Sequence, residues 1–211
     1  MSRSRRILAR CVRPLVVAAK WALAQAGVAI ATRSDADMTP TAPPIGDPYG
    51  GGVVAYVLQA GDPGYVAGQT KGLIAAAADQ TTADSRIQWA TEPYWHTTVP
   101  GTSIALGTGA ANTDAIIAQN GAGSTYAAGL ARAYRGGGYD DWYLPSRDEL
   151  NKLYLNRVAI GGFDTTKYVW YWSSSEYQDN AGNAWYQFFD DGTQDIFDKD
   201  FTDRVRAVRA I

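Results

Sequence analysis

Short apolar runs, each bounded by glycine, proline or other turn-forming residues, predict the β-strands of this chain. The runs are Val53–Leu58, Leu73–Ala77, Ile87–Trp89, Tyr168–Ser173, Trp185–Phe189 and Arg204–Val208. Strands this short, separated by turn-rich connections, indicate small twisted antiparallel sheets with long loops between them.

Helical patterns are fewer than strand patterns. Residues 112–119 are predicted to form one helix, beginning at Asn112 or Thr113, and residues 125–134 another short one. Residues 146–160 form the third predicted helix. Few helices, short strands and long loops together predict an α+β fold.

The clearest local signal is a helix start at Ser146. Ser146 and Glu149 have the spacing of a capping box, in which each side chain binds a backbone N–H of the first turn. Asp148 and Glu149 also lie where the helix dipole favours negative charge, and Leu150 and Leu153 follow on one face. Capping accounts for both acidic residues without any catalytic role.

Composition narrows the classes of function. Hydrophobic residues make up 46% of the chain and charged residues 19%, which is enough for a packed core. The net charge of −2 gives no basic excess for a nucleic-acid backbone. A single cysteine, Cys11, and a single histidine, His96, leave no intrachain disulfide and no cysteine- or histidine-rich metal or triad site. We therefore expect a protein that is not an enzyme.

The chain divides into three parts. Residues 1–34 alternate basic and apolar side chains and carry a weak twin-arginine-like motif, so an export signal, a membrane-surface helix and a docking helix for a partner protein all stay open. Residues 35–50 are rich in proline and are predicted to be a linker. Residues 51–211 are predicted to be the domain. No apolar run is long enough for a membrane span, and a secreted or cell-surface location is favoured.

Three segments of the domain resemble a bacterial family. They are Gly137–Leu150, which contains Trp142-Tyr143-Leu144-Pro145, then Tyr171–Glu176, which contains Trp172-Ser173-Ser174-Ser175-Glu176, and Arg204–Arg209. Residues 50–211 are similar to the C-terminal domain of collagen-like adhesins. That resemblance implies a C-type-lectin-like fold with two main helices and a role in ligand binding.

A subset of that family is more similar still: the variable proteins of diversity-generating retroelements, found in bacteria and phages. There, error-prone copying at adenines rewrites a C-terminal segment, which corresponds here to about residues 177–203. The resembling frame within it includes Trp185, Gln187, Phe189 and Lys199. Every position between the frame residues except Gln178 carries a residue type that adenine changes in an AAC or AAT codon can produce.

The resemblance and the strand alternation together predict a binding surface held on a fixed scaffold. Side chains at 185, 187 and 189 face one way along a strand, while those at 186, 188 and 190 face the other. The predicted scaffold residues are Trp142, Trp172, Trp185, Gln187 and Phe189. The predicted ligand-binding residues are Tyr177, Asp179, Asn180, Asn183, Tyr186, Phe188, Asp190, Asp191, Thr193, Asp195, Phe197, Asp198, Asp200, Phe201, Thr202 and Asp203.

The predicted partner is a protein or another cell-surface ligand, because rigid aromatics mixed with short polar groups are typical of protein-binding surfaces. We expect no catalytic residue, no cofactor and no nucleic-acid partner. The alternative is a fixed, carbohydrate-binding lectin or adhesin. The aspartates of residues 190–203 supply hard oxygen ligands, so a calcium ion belongs to that alternative, although their spacing matches no ordered calcium loop.

Overall fold

Three small antiparallel sheets form the β part of the computed structural model, which describes residues 43–211. The strand order is β1-β2-β3-β9 in the first sheet, β4-β8 in the second and β5-β6-β7 in the third. The strands are β1 Pro48–Tyr49, β2 Gly52–Val57, β3 Gly72–Ala75, β4 Ile87–Gln88, β5 Trp170–Glu176, β6 Asn183–Phe188, β7 Gln194–Asp198, β8 Thr202–Asp203 and β9 Val208–Ala210. Because β9 pairs with β3, the C-terminal end of the domain closes onto its N-terminal sheet.

Four α-helices lie within the same residues. They are α1 Gly109–Asn120, α2 Ala127–Ala133, α3 Arg147–Leu155 and α4 Arg157–Ile160. The capping box at the start of α3 is present as predicted, because the Ser146 hydroxyl accepts from the Glu149 N–H and the Glu149 carboxylate accepts from the Ser146 N–H. None of these helices combines the length and apolar character that a membrane-spanning helix requires.

Two apolar cores lie between the sheets and the helices. The first gathers the buried rings of Trp89, Trp142 and Trp172 with Ile116 of α1. The second joins β3 and α3 to the third sheet through Leu73, Leu150, Leu153, Tyr171 and Phe189. Mixed helices and short antiparallel sheets confirm the α+β prediction.

Several predicted boundaries differ from the structure. Asn112 and Thr113 do not cap α1. They lie buried inside it, where Asn112 binds the Ser103 carbonyl and Thr113 bonds to both backbone groups of Leu144. The domain also begins inside the predicted linker, since β1 pairs with the start of β2. The predicted segment 1–34, including Cys11, lies outside the described residues.

The predicted strand Arg204–Val208 is also wrong over most of its length, because only Val208 lies in a strand. The preceding residues are held instead by the side chains of buried arginines. Arg206 is fully buried, and its guanidinium binds the Asp79 carboxylate at 2.7 Å and the Ala76 carbonyl at 3.0 Å. The Tyr171 hydroxyl donates to the same Asp79 at 2.8 Å, and the Arg204 guanidinium binds Asp164 at 2.7 Å. These arginines tie the segment to the loop that follows β3, through Asp79, and to the loop that follows α4, through Asp164.

The Arg206–Asp79 pair gives a stability prediction. Replacing Arg206 with Met leaves the buried Asp79 carboxylate, whose side chain is only 10% exposed, without its cation. Breaking a buried pair in this way costs about 3–5 kcal/mol, so the free energy of unfolding in urea should fall by that amount. Arg209→Met is the matched control, because its partner Asp141 is 52% exposed and such a pair is worth about 1 kcal/mol or less. Equal losses in the two variants would contradict the structural role given to Arg206.

Candidate ligand-binding surface

The third sheet has two faces whose side chains serve different purposes. Its register places Trp170 opposite Phe188, and Trp172 opposite Tyr186. Tyr186 in turn lies opposite Asp195 of β7. Since directly opposed residues point to the same side of a sheet, these side chains share one face, while positions 185, 187, 194 and 196 share the other.

The second of these faces is anchored to α3. Gln187 is fully buried, and its amide donates to the Asn151 side chain at 2.9 Å and to the Gly192 carbonyl at 3.0 Å. Gln194 donates to the Arg147 carbonyl at 2.9 Å. The Arg147 guanidinium also lies 4.9 Å from the ring centroid of the half-buried Trp185. Hydrogen bonds from the side-chain amides of Gln187 and Gln194, together with the stacking of Arg147 on Trp185, therefore fix β6 and β7 to α3.

The turn between β6 and β7 is fixed as well. Gly192 has a positive φ of 84°, which side-chain-bearing residues rarely adopt. A Cβ at this position would collide with the ring of Tyr154 on α3. Asp191 and Gly192 form this turn, and the Asp191 carboxylate accepts from the Thr193 N–H at 2.8 Å.

The opposite face carries a cluster of rings, called here the aromatic patch: Trp170, Tyr186, Phe188, Phe197 and Phe201. Neighbouring ring centroids lie between 4.4 Å, for Phe197 and Phe201, and 6.1 Å, for Tyr186 and Phe197. Burial is graded across the patch. Tyr186 is only 6% exposed, three rings are half-buried and Phe201 is 47% exposed. One edge of the patch therefore joins the core while the other meets solvent.

Lys199 pins the end of β7 to the rest of the domain. Its ammonium group is fully buried and forms an ion pair with Glu176 at the end of β5, and it also donates to the Thr97 carbonyl at 3.1 Å. Its backbone accepts from the Trp89 N–H at 3.0 Å and donates to the Gly182 carbonyl at 2.9 Å. Burial lowers the pKa of Lys199 and raises the pKa of Glu176, while the ion pair opposes both shifts.

The exposed acidic residues of the segment bind neighbouring protein groups rather than converging on one point. Asp195 accepts from the Ile196 N–H at 2.8 Å, and Asp198 accepts from the Asn183 amide at 2.8 Å. Within residues 43–211, no group of three or more histidine, cysteine, aspartate or glutamate side chains is arranged to hold a metal ion.

Comparison with known proteins places this site in a family. The family model described as the Lcl C-terminal domain matches residues 75–209, more than half of the chain. The chain belongs to the Lcl C-terminal domain family. The matched region includes the third sheet and all four α-helices, so the aromatic patch and its anchored reverse face both lie within the Lcl C-terminal domain. The family predicted from the tryptophan-containing segments is confirmed.

Other comparisons add little to the family match. A fimbrial protein from Bacteroides ovatus ATCC 8483 has a solved structure similar to this Lcl domain, with a TM-score of 0.42 and 15% sequence identity. The alignment covers 65% of this chain and 35% of the fimbrial protein. No curated protein matches this chain.

The structure sorts the predicted ligand-binding residues of the Lcl domain into three groups. The exposed ones are Asp179, Asn180, Asp191, Thr193, Asp195, Asp198, Asp200, Phe201 and Thr202. Half-buried ones are Tyr177, Phe188, Asp190 and Phe197. The prediction of an outward position is wrong for Asn183, Tyr186 and Asp203, which are buried. Among the predicted scaffold residues, Trp142, Trp172, Gln187 and Phe189 are fully buried and Trp185 is half-buried.

Two further differences concern elements of the site. No strand is predicted between Phe189 and Arg204, but Phe197 lies in a strand, β7, which pairs along its length with β6. Trp170 was missing from the predicted site, although it contacts three of the other patch rings. Trp170 lies two residues before the buried Trp172 in the predicted strand, so both side chains are expected on the same face. The sequence does not show that β5 pairs with β6, and this pairing is what brings Trp170 next to the other patch rings.

Asp203 is buried because its side chain binds other groups of the domain rather than pointing to solvent. Its carboxylate lies 3.4 Å from the Arg86 guanidinium and accepts from the Arg204 N–H at 2.9 Å. Burial raises the pKa of Asp203 to about 6, although Arg86 acts in the opposite direction. The charged form is therefore disfavoured in the folded domain.

The raised pKa of Asp203 predicts a pH dependence of stability. Since the folded pKa of about 6 exceeds the ordinary value of 3.8, the stabilisation by the protonated form is complete at pH 3.8 and lost as pH rises through 6. A shift of about two units corresponds to ~3 kcal/mol. Relative to Asp203→Asn, the wild type should lose up to that free energy of unfolding between about pH 4 and pH 7 in urea titrations.

A second aspartate provides the control for this measurement. Hydrogen bonds from Thr193 lower the pKa of the exposed Asp191. The wild type compared with Asp191→Asn should therefore gain stability as pH rises, which is the opposite slope. Slopes of the same sign for both aspartates would contradict the assignment of Asp203 as a buried acid.

Proposed function

We propose that this protein is a non-enzymatic, receptor- or adhesin-like protein that binds a protein ligand through the aromatic patch and the exposed residues beside it. Membership of the Lcl C-terminal domain family supports a role in ligand binding. We also propose a C-type-lectin-like fold for the domain. The short antiparallel sheets, the two main helices α1 and α3 and the long connections support it.

The observation that carries the binding proposal is the contrast between the two faces of the third sheet. One face is held by the buried Gln187 and by Gln194, which bind α3. The other leaves Phe201 nearly half exposed beside partly buried rings and the exposed Asp195 and Asp200. Rigid aromatic rings surrounded by short polar groups supply contact area at low entropic cost, which is what protein recognition requires.

A display library tests the binding proposal. Random substitution of the exposed positions Asp191, Asp195, Asp198, Asp200 and Phe201 should leave the domain folded on yeast, because each side chain faces solvent. Panning against several unrelated proteins should then enrich specific binders with dissociation constants of about 1 μM or below.

A matched library at buried positions serves as the control. Random substitution of Gln187, Lys199, Arg204 and Arg206 should abolish display of folded protein, because these side chains are buried and hydrogen-bonded. Failure to obtain a binder to any protein from a well-folded surface library would contradict the proposal. Calcium-dependent binding to a sugar array would favour the fixed lectin instead.

We further propose that a diversity-generating retroelement varies residues of the segment 177–203. The residue types between the frame positions are compatible with changes at adenines. The buried Lys199 is a frame residue, and only variants that keep lysine at this position retain the ion pair with Glu176. Lysine is not among the types reachable from AAC or AAT codons by changes at adenine alone.

The surrounding genome tests this second proposal. We expect a reverse-transcriptase gene nearby, together with an imperfect copy of the codons for residues 177–203. The two copies should differ only where the template has adenine, and the codons of the frame residues Trp185 and Phe189, which contain no adenine, should be identical. A single copy, or differences spread evenly over all four bases, would contradict diversification while leaving the binding proposal intact.

A further inference from the structure

Two of the four exposed tyrosine rings outside the patch, Tyr139 and Tyr168, are covered by cations of the same chain, whereas no lysine or arginine that the structure describes covers Tyr49 or Tyr65. The Arg209 guanidinium lies 3.7 Å from the ring centroid of Tyr139, and the Lys167 ammonium lies 4.9 Å from that of Tyr168. Tyr154 and Trp185 are covered in the same way by arginines. By contrast, no lysine or arginine of residues 43–211 lies over any ring of the aromatic patch.

The charges around the patch are negative. Asp195 shares its face, directly opposite Tyr186, and Asp200 precedes Phe201 in the chain. Both aspartates are exposed, and neither forms an ion pair with a described residue. The single basic residue of the segment 177–203 is Lys199, which is buried against Glu176 and contributes no surface charge.

Three basic residues on chain segments next to the patch are already engaged. Arg86 pairs with the buried Asp203, and Arg204 pairs with Asp164. Lys167 lies over Tyr168, outside the patch. The patch therefore combines uncovered ring faces with uncompensated carboxylates, and a cation from another molecule complements both features.

We propose that the aromatic patch receives an arginine side chain from a protein partner. This inference rests on the proposed function and names the chemistry of its ligand. A planar guanidinium stacks on a ring face and also offers paired N–H donors to a carboxylate, whereas an ammonium does only part of this. The exposed ring of Phe201 supplies the stacking surface, and Asp195 and Asp200 supply the negative charge.

The test uses three short peptides that differ only at two central positions, which carry arginine, lysine or citrulline. Citrulline keeps the shape of arginine but has no charge. The peptides are titrated into the isotope-labelled wild-type protein, and chemical-shift changes are followed at the indole N–H of Trp170 and at the rings of Phe197 and Phe201. We expect the arginine peptide to bind about tenfold more tightly than the citrulline peptide, with lysine between them.

Variants of the patch and changes in salt concentration test where and how the arginine peptide binds. Asp195→Asn with Asp200→Asn, and separately Phe201→Leu, should each weaken binding of the arginine peptide about tenfold. Asp140→Asn is the matched control, because this exposed aspartate lies in the loop before Trp142, outside the segment 177–203, and it should leave binding of the arginine peptide unchanged. Raising sodium chloride from about 50 to about 500 mM should weaken binding of the charged peptides alone.

Three possible results distinguish a failure of this inference from a failure of the proposed function. Equal affinity for the arginine and citrulline peptides, or shifts confined to residues outside the patch, would overturn this inference. Binders from the display library that contact the patch without any preference for arginine would overturn it while leaving the proposed function intact. The absence of any patch-dependent ligand, from the library or the peptides, would overturn both.

Discussion

The buried ion pair between Lys199 and Glu176 is the constraint on which the candidate surface depends. Lys199 is the single base in a segment with many acids, and it lies inside the domain rather than on it. Its side chain and backbone reach Trp89 and Thr97 in one stretch of the chain and Glu176 and Gly182 in another. A buried charge without its partner is costly, so this arrangement forms as a whole or not at all. The end of β7 is thereby held in one place.

With that point fixed, the third sheet separates into a face anchored to α3 and a face that carries the aromatic patch. Gln187, Gln194 and Gly192 bind or contact α3, so the sheet keeps its position when exposed side chains of the opposite face change. Buried arginines do the same for the segment that follows, through Asp79 and Asp164. Because hydrogen bonds and ion pairs determine the backbone path, changes at exposed positions such as Asp195 or Phe201 remove little of the folding free energy. The outer face is then available for recognition.

Much of this arrangement was visible in the sequence, and the failures have physical causes. The capping box at Ser146 is a local interaction between residues three apart, so spacing alone predicts it. Tyr186 alternates correctly with Gln187, but alternation gives the side of a strand and not how deeply that side is buried. Its burial follows from the rings of Trp170 and Phe197, which come from neighbouring strands and are not visible in a linear pattern. The buried role of Asp203 likewise needs Arg86, far away in the chain.

The central claim is that residues 170–206 divide into inward side chains that determine the fold and outward ones that do not. The most direct measurement is a substitution scan of every position in this range, with folded protein on the cell surface as the readout and no ligand present. The account predicts broad tolerance at Asp191, Asp195, Asp200 and Phe201, and loss of folding at Gln187, Lys199 and Arg206. Equal sensitivity in the two groups, or tolerance at the buried ones, would contradict it.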